Sequence, residues 1–398
     1  MSYIQHGTSA FRKTSLALFA GGFNTFAILY YTQPLLPEFS KEFGIPPVTA
    51  SLSLSLTTLV LAFSMIIVGS LSESWGRKPI MASAMVTASI LTLITAFAPN
   101  FHTLLVFRII LGAVLAGLPA IAMAYLGEEI APSSLGAVMG LYISGNSIGG
   151  MGGRVITGIF TDLWNWRIAV AVIGLLGLIF SVFFVILLPP SRHFHARPLR
   201  FKSLLHSLGS QFKDPGMVIL FTLGFLLMGS FVTLYNYIGY QLIAPPYSLS
   251  QTVVGFIFIV YIAGTFSSTW MGKMADTHGR PLMLGIGLLV FLSGALLTLS
   301  PLLAVKIAGI IIFTFGFFGA HSIASSWIGI RATHDKAQAS SLYLFFYYGG
   351  SSIGGTLGGT FWGMYGWNGV IGLIASFLVV ALMLSLLLAR LNHQKAVA

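Results

Sequence analysis

Two related stretches decide the fold: GSLSESWGRK at 69–78 and GKMADTHGR at 272–280. Each begins with glycine, carries one acidic residue, and has arginine directly after its second glycine. A second pair of stretches, GNSIGG at 145–150 and GSSIGG at 350–355, repeats at an offset of 205 residues, against 203 for the first pair. Two matches at nearly one offset indicate that the chain contains two related halves.

Composition shows which surroundings these halves occupy. Of the 398 residues, 56% are hydrophobic and only 7% are charged, whereas a soluble globular domain carries about 25% charged residues. So few charges cannot cover a surface that faces water. The apolar runs are long and do not alternate, which predicts helices, because a segment in lipid must satisfy its own backbone hydrogen bonds.

The sequence therefore predicts an all-α membrane protein with twelve transmembrane helices in two pseudo-symmetric six-helix bundles, since the length fits twelve spans of about 20 residues. The N-terminal six-helix bundle is expected at 1–189 and the C-terminal six-helix bundle at 216–398. The expected spans are 15–37, 48–71, 79–98, 102–126, 135–160, 167–189, 216–243, 251–272, 281–300, 303–329, 338–362 and 367–389.

A polar connection at 190–215 separates the two expected bundles. Three leucines in it, Leu204, Leu205 and Leu208, recur at helical spacing. This pattern favours a basic amphipathic cytoplasmic linker lying on the membrane surface, and a disordered tether is the alternative. The basic residues of the connection are Arg192, Arg197, Arg200, Lys202 and Lys213.

The loop positions of lysine and arginine predict the orientation, because these residues concentrate in cytoplasmic loops. With the N-terminus in the cytoplasm, fifteen of them fall inside and three outside, namely Lys41, Arg167 and Lys306. Both termini are therefore expected in the cytoplasm. The formal net charge of +11 follows from this loop pattern, and no nucleic-acid partner is expected.

The stretch at 69–78 resembles the signature loop of the major facilitator superfamily, whose pattern is roughly G-x-L-x-D-R-x-G-R-[RK]. Glu73 stands at the acidic position of that pattern, and Ser74 stands at its first basic position. Arg108 followed by Gly112 is similar to a second signature of the family, in the fourth span.

Two further stretches resemble exporters of this superfamily. Residues 140–153 approximate the glycine-rich fifth span of exporters, with Gly150 where that pattern has proline, and YTQPLLP at 31–37 is similar to a common first-helix ending. The chain most resembles the bacterial YnfM-like and arabinose-efflux-like drug and metabolite exporters. The resemblance implies proton-coupled secondary transport, with Arg108 matching a fourth-span arginine implicated in proton transfer.

The repeated loop is expected to gate the cytoplasmic side. Its glycines permit a tight turn, and its acidic residue is placed to accept hydrogen bonds from a helix start or a basic partner. The alternative is that any basic loop determines topology in this way. The residues assigned to this gating loop are Gly69, Glu73, Gly76, Arg77, Lys78, Gly272, Asp276, Gly279 and Arg280.

Arg108 and Arg154 each lie inside an apolar span, where arginine is costly unless it faces the protein interior or water. No acidic residue lies in the middle of a span. Two intramembrane cations without such carboxylates predict a cavity of positive potential and an anionic substrate. The alternative is that each arginine binds backbone carbonyls, or that Arg154 reaches the interface.

Polar and aromatic residues complete the candidate site for substrate and coupling. His321 is expected to titrate during proton coupling, or to be a neutral packing histidine. Tyrosines at helix ends are alternatively interfacial residues, and the glycines spaced by four suit helix packing. The remaining candidates are Asn24, Tyr30, Tyr31, Gln33, Asn146, Tyr235, Asn236, Tyr237 and Gln241.

The sequence thus predicts a secondary active transporter that exports a small organic compound across the bacterial inner membrane by alternating access, as a proton-coupled antiporter. The alternative is uptake or exchange of an organic anion, or flipping of an anionic lipid-linked substrate. A membrane enzyme is disfavoured, because the sequence contains no cluster of carboxylates or histidines at metal-ligand spacing. We expect a monomer in the lipid bilayer with no metal and no cofactor beyond the proton gradient.

Overall fold

The computed structural model describes residues 3–194, 196 and 201–397, without the side chains of 201–204 and 393–397. This part of the chain is helical and contains one isolated β-bridge, between Ile4 and Ile130. The helices are α1 (Ser9–Tyr30), α2 (Leu36–Phe43), α3 (Pro47–Trp75), α4 (Arg77–Thr95), α5 (Phe101–Leu115), α6 (Ala122–Glu129), α7 (Pro132–Leu163), α8 (Trp166–Leu187), α9 (Phe201–Gln211), α10 (Pro215–Ile243), α11 (Gln251–Phe256), α12 (Tyr261–His278), α13 (Arg280–Leu297), α14 (Leu303–Arg331) and α15 (Lys336–Val397), with a 3₁₀ turn (Ile257–Val260) between α11 and α12.

Eight helical stretches among the described residues are long and apolar enough to cross a membrane. This number does not reach the twelve predicted spans. One stretch, Lys336–Asn392, covers the last two predicted spans, because the chain passes the expected loop at 362–367 with only a kink at Gly366 (φ 58°, ψ −143°). The expected fourth span at 102–126 is also interrupted, since α5 ends at Leu115 and α6 begins at Ala122.

The first predicted span, 15–37, ends earlier than expected. Helix α1 stops at Tyr30 and α2 begins at Leu36. The intervening turn contains Pro34, whose nitrogen has no hydrogen to continue the helical hydrogen bonds, and Pro37 occupies the first turn of α2. The last carbonyl groups of α1 are therefore left without helical partners.

The chain forms two compact units. Unit 1 comprises Met1–Gly44, Leu56–Leu199 and Ser250–Phe256, and unit 2 comprises Ile45–Ser55, Arg200–Leu249 and Ile257–Ala398. Most of the expected N-terminal bundle is in unit 1 and most of the expected C-terminal bundle in unit 2. Two short segments are exchanged: the start of α3 packs within unit 2, and α11 packs within unit 1.

Glycines of α7 allow close packing against α1 in unit 1. A Cβ atom built on Gly145, Gly149 or Gly153 would lie within 3.0 Å of main-chain atoms of α1. The neighbours are Phe19 for Gly145, Phe23 for Gly149 and Ala27 for Gly153. These glycines are helix-contact positions, as their spacing predicts.

The same packing occurs in unit 2 between α10 and α15. A Cβ atom built on Gly350, Gly354 or Gly358 would lie within 3.0 Å of α10. The neighbours are Phe225 for Gly350, Gly229 for Gly354, and Thr233 and Tyr237 for Gly358. Both partners of each contact recur about 205 residues later, so the internal repeat of the sequence is also a repeat of helix packing.

The predicted linker contains helix α9, although Arg197 and Arg200 lie outside the described residues. Helix α9 ends at Gln211, and α10 begins at Pro215 with Asp214 as its N-cap. The linker therefore leads within a few residues into an apolar helix long enough to cross a membrane.

Candidate functional site

Five of the predicted site residues lie together in unit 1, at the C-terminal end of α1. Tyr30, Tyr31 and Gln33 belong to the end of α1 and the turn after it, Arg108 comes from α5, and Arg154 comes from α7. All five are buried. We call this group the α1-end cluster.

Arg108 binds the carbonyl groups that the early end of α1 leaves free. Its Nη1 donates to the Ile28 carbonyl oxygen at 3.0 Å, and its Nη2 donates to the Leu29 carbonyl oxygen at 2.8 Å. The guanidinium also stands 5.0 Å from the centre of the Tyr31 ring. A cation at a helix C-terminus is favourable, because the carbonyl ends of the peptide dipoles point toward it.

Arg154 binds the same region from the other side. Its Nε donates to Gln33 Oε1 at 2.8 Å, and its Nη1 donates to the carbonyl oxygen of Gly150, one turn earlier in α7, at 2.6 Å. The guanidinium lies 4.3 Å from the centre of the Tyr30 ring. Two helices thus hold the end of α1 through one arginine each.

This geometry bears on the predicted anionic substrate. Arg108 is 0% exposed and Arg154 is 2% exposed, and both guanidinium groups hydrogen-bond to protein acceptors. Their contacts correspond to the alternative in which arginine binds backbone carbonyls. In this arrangement the two arginines order the protein, and neither presents a free cation to a ligand.

Asn24 and Asn146, the predicted asparagines of unit 1, lie apart from the α1-end cluster. Asn24 is buried, and its Nδ2 donates to Ser89 Oγ at 3.3 Å and to Ser181 Oγ at 3.1 Å, which joins α1 to α4 and α8. Asn146 lies on α7 where a Cβ atom added to Gly22 of α1 would collide with it. Both asparagines therefore sit at contacts between helices of unit 1.

The predicted residues of α10 are distributed within unit 2. Tyr235 Oη is 2.6 Å from Thr314 Oγ1 of α14, and Tyr237 Oη donates to the Gly355 carbonyl oxygen at 2.6 Å. Both tyrosines and Asn236 are buried. Gln241 is half-buried near the end of α10. The tyrosines thus connect α10 to two other helices.

His321 lies on α14 among aromatic rings of unit 2. Its Nδ1 is 2.8 Å from Tyr343 Oη, its ring lies 4.7 Å from that of Tyr347, and the parallel Phe317 ring is 5.7 Å away. Phe317 stacks in turn on Phe231, with ring centres 3.8 Å apart. His321 and Tyr347 are half-buried, whereas Tyr343 is buried. We call His321, Tyr343 and Tyr347 the histidine cluster.

Arg77, in the signature loop, has an acidic partner that the sequence did not indicate. Arg77 Nη2 donates to Glu128 Oε1 at 2.6 Å, and its Nη1 donates to Ser72 Oγ at 2.5 Å. Lys78 Nζ donates to the Leu188 carbonyl oxygen at 2.5 Å, at the end of α8. Glu73, the expected acceptor, is exposed, and its side chain makes no hydrogen bond among the described residues. Glu128 is therefore the acidic partner of this loop in the structure.

The second copy of the loop has the same turn and a weaker ion pair. Gly279 links α12 to α13, as Gly76 links α3 to α4. Arg280 Nη2 donates to Asp276 Oδ1 at 2.6 Å, but the Asp276 side chain is 65% exposed. An exposed pair of this kind contributes little stability. The first glycines of the two loops, Gly69 and Gly272, lie within α3 and α12.

The residues missed by sequence reasoning carry only weak signals. Tyr343 and Tyr347 are four residues apart and share a helix face, but the sequence does not show that His321 lies opposite them. Glu128 is the first of two adjacent glutamates near the inner end of the fourth predicted span. Its pairing with Arg77 depends on the fold, because 51 residues separate the two.

The fold and these sites define a class: a helical, multi-pass membrane protein with a duplicated packing pattern and two copies of one loop. The sequence model of the Major Facilitator Superfamily matches residues 18–328. The chain therefore belongs to the Major Facilitator Superfamily. It is a membrane transporter and not an enzyme, and secondary transport by alternating access is the activity that the family supports.

Curated relatives match along nearly the whole chain. The uncharacterized MFS-type transporter YybF of Bacillus subtilis (strain 168) is 57% identical, over 98% of this chain and 96% of YybF. The inner membrane transport protein YnfM of Escherichia coli (strain K12) is 51% identical, over 98% of this chain and 94% of YnfM.

Solved structures of other transporters share the fold. The nucleoside transporter NupG superposes with a TM-score of 0.79 at 16% identity, over 94% of this chain and 99% of NupG. A bacterial homologue of the human lysosomal transporter Spinster gives a TM-score of 0.74 at 14% identity, over 96% of both chains. At such low identity these structures show the fold alone.

Proposed function

We propose that this transporter exports a small organic compound across the bacterial inner membrane and couples export to proton entry. The glycine-rich α7 supports export, since it approximates the fifth span of exporters. The relative YnfM is described as an inner membrane protein, which supports the location. We propose a monomer whose energy source is the proton gradient, without a resident cofactor.

The histidine cluster is the observation that carries the coupling proposal. Histidine is the side chain whose ordinary titration range includes neutral pH. His321 lies about two-thirds of the way along α14, and its Nδ1 is hydrogen-bonded to Tyr343. Because the ring is half-buried, it is placed to exchange a proton while remaining oriented by its tyrosine partner. The flat rings around it suit contact with an aromatic part of the substrate.

Transport by purified protein in proteoliposomes tests this proposal. A panel of small organic compounds is screened for uptake driven by an imposed pH gradient, with a pH-sensitive dye recording proton movement. We expect at least one compound to move against its gradient while protons move in the opposite direction. Equal movement of that compound with and without the pH gradient would show facilitated diffusion and overturn the coupling proposal.

Substitution of the histidine separates coupling from packing. His321→Gln retains hydrogen-bonding capacity toward Tyr343 but cannot titrate, so we expect it to lose pH-driven accumulation while still exchanging substrate between the two sides. His278→Gln is the matched control, because His278 is exposed at the end of α12. If His321→Gln retains pH-driven accumulation, the coupling group is elsewhere.

We further propose twelve spans with both termini in the cytoplasm, as the distribution of lysine and arginine supports. The chain has no cysteine, so single cysteines report topology without interference. We expect cysteine at Thr333 to react with an impermeant reagent only from the cytoplasmic side, and cysteine at Ser300 only from the outside. The reverse pattern would overturn the orientation.

An organic anion as substrate is not part of this proposal. The hypothesis depended on free positive charge at Arg108 and Arg154, and both guanidinium groups are buried and bound to protein acceptors. The compound panel therefore contains matched neutral, anionic and cationic members. A strict requirement for a carboxylate or phosphate in the transported compound would restore the anion hypothesis.

A further inference from the structure

Helix α9 has two faces with different surroundings. It spans Phe201–Gln211 and precedes α10 by three residues. Since α10 is apolar and long enough to cross a membrane, the end of α9 must lie close to the membrane boundary. One face of α9 is bound to the protein, as described below. The partner of its other face must therefore also lie at that boundary.

The polar face of α9 is attached to the loop between α14 and α15. Ser207 Oγ donates to Asp335 Oδ2 at 2.5 Å, and Ser210 Oγ is 3.0 Å from His334 Nε2. Gln211 Nε2 donates to the His334 carbonyl oxygen at 3.3 Å, and Gln211 is 3% exposed. These three contacts fix the rotation of α9 about its own axis.

The opposite face of α9 is apolar and largely open, although the Phe212 ring also packs 5.8 Å from the Phe221 ring of α10 and 6.2 Å from the Phe346 ring of α15. Leu205 is 67% exposed, and Phe212, directly after the helix and two turns from Leu205, is 45% exposed. Leu208 is half-buried between them. At positions i, i+3 and i+7, the three side chains form one stripe. Two large apolar side chains exposed along one stripe of a fixed helix require an apolar partner.

Positive charge accompanies the stripe. Lys213 is exposed immediately after Phe212, and Lys336 is exposed next to Asp335 in the loop to which α9 is attached. An amphipathic helix with lysine beside its apolar face lies in the membrane interface, and lysine near that surface attracts anionic lipid. Three features therefore favour one partner, the surface of an acidic leaflet. They are the proximity of α10, the apolar stripe and the two lysines.

We propose that α9 is an interfacial helix that inserts Leu205 and Phe212 into the cytoplasmic leaflet and binds acidic phospholipid headgroups through the adjacent lysines. Leaflet and transporter thereby meet at a defined surface of unit 2. Through Ser207 and Asp335, this surface is connected to the loop between α14 and α15.

Spin labels attached to single cysteines test the proposal directly, because the chain has no cysteine of its own. Leu205→Cys and His206→Cys are labelled in full-length protein and reconstituted into nanodiscs of phosphatidylcholine alone, or of phosphatidylcholine with phosphatidylglycerol. His206 is the matched control, since it is also exposed and lies about 100° around the helix from Leu205. Both substitutions replace exposed side chains, so the fold is retained.

Accessibility to oxygen, relative to a water-soluble nickel chelate, measures the depth of each label. We expect the label at 205 to lie about 5–10 Å below the headgroups and the label at 206 to be aqueous. We also expect the label at 205 to move deeper when phosphatidylglycerol is present, and Lys213→Gln to reduce that shift. Equal aqueous accessibility of the two labels, or identical depth in both lipids, would overturn the proposal.

Discussion

Gly76 and Gly279 adopt nearly the same backbone conformation at corresponding places in the two units. The first has φ 93° and ψ 154°, and the second has φ 91° and ψ 135°. Each is the single residue between two long helices. In this region of backbone space, which is essentially reserved for glycine, any side chain is strained. The two loops are therefore built around one turn that only glycine permits.

Replacing either glycine by alanine is expected to destabilise the protein through the backbone alone. The atom nearest to a Cβ built on Gly76 is 3.6 Å away, and for Gly279 the distance is 4.0 Å, so neither substitution causes a collision. We expect a loss of about 1–3 kcal/mol for each, measured by thermal unfolding in detergent. The control is Gly285→Ala, in α13, where the added methyl group meets open space. If Gly76→Ala behaves like the control, the turn is not strained.

Helix packing predicts a second effect at corresponding positions of the two units. Alanine at Gly149 would press against the main chain of Phe23, and alanine at Gly354 would press against that of Gly229. Because main-chain atoms cannot rotate away, we expect each substitution to cost about 1–3 kcal/mol of unfolding free energy. Gly140→Ala, on the same helix as Gly149 but facing open space, is expected to be neutral or stabilising. Equal stability of Gly140→Ala and Gly149→Ala would contradict the close helix contact.

The sequence predicted those features that depend on local backbone requirements. The turn at Gly76 and the contact glycine Gly149 are recognisable because only a residue without a side chain suits a positive φ or a close helix approach. The resemblance to the major facilitator superfamily was likewise based on the stretch at 69–78, which contains Gly76. Such requirements are visible in one sequence, since the neighbouring residues or the helical spacing impose them.

The partners of the charged residues were not predictable in this way. Arg108 binds the Ile28 and Leu29 carbonyl groups because α1 ends at Tyr30, but the apolar run continues to residue 37 and suggested a longer span. Glu73 occupied the acidic position of the signature loop, yet the carboxylate that Arg77 meets belongs to Glu128. Long-range pairing depends on how helices turn toward each other, which composition and spacing do not determine.

The α1-end cluster predicts that arginine and lysine are not interchangeable at position 108. Two separate nitrogens of Arg108 serve two carbonyl groups, and a lysine ammonium on its flexible stem does not reproduce this fork. We expect Arg108→Lys to leave one buried carbonyl unsatisfied, at a cost of about 1–3 kcal/mol, measured by thermal unfolding. Arg280→Lys, at an ion pair with the largely exposed Asp276 side chain, is the control and is expected to change stability little. Wild-type stability of Arg108→Lys would show that the two carbonyl contacts are dispensable.

Asp162, in the last turn of α7, predicts an effect of acid. Partial burial raises the pKa of this carboxyl, but hydrogen bonds from Thr252 and from the Gln251 main chain outweigh burial, so the pKa lies below its usual value. Because the folded-state pKa is depressed, the stabilisation is fully present above the unfolded-state pKa and is lost as pH falls through the folded-state pKa. We expect Asp162 to remain ionised at neutral pH and its stabilisation to disappear only below about pH 4.

Unfolding curves of Asp162→Asn at several pH values check this expectation. The variant should be less stable than wild type at neutral pH, because the charged acceptor at the start of α11 is lost, and the difference should shrink in acid. Asp276→Asn removes a carboxylate from an exposed ion pair and serves as control. A difference between wild type and Asp162→Asn that already disappears near neutral pH would contradict a lowered pKa and would make Asp162 a candidate coupling group.

The signature loop predicts energetic coupling between Arg77 and Glu128. The Arg77 side chain is 9% exposed and that of Glu128 is 28% exposed, so the pair is less screened by solvent than a surface ion pair. A double-mutant cycle with Arg77→Ala and Glu128→Ala is expected to give a coupling of about 0.5–3 kcal/mol. The same cycle with Glu73→Ala is expected to give almost none, since Glu73 is exposed. Stronger coupling to Glu73 than to Glu128 would mean that the family position, and not the partner seen in this structure, holds the loop.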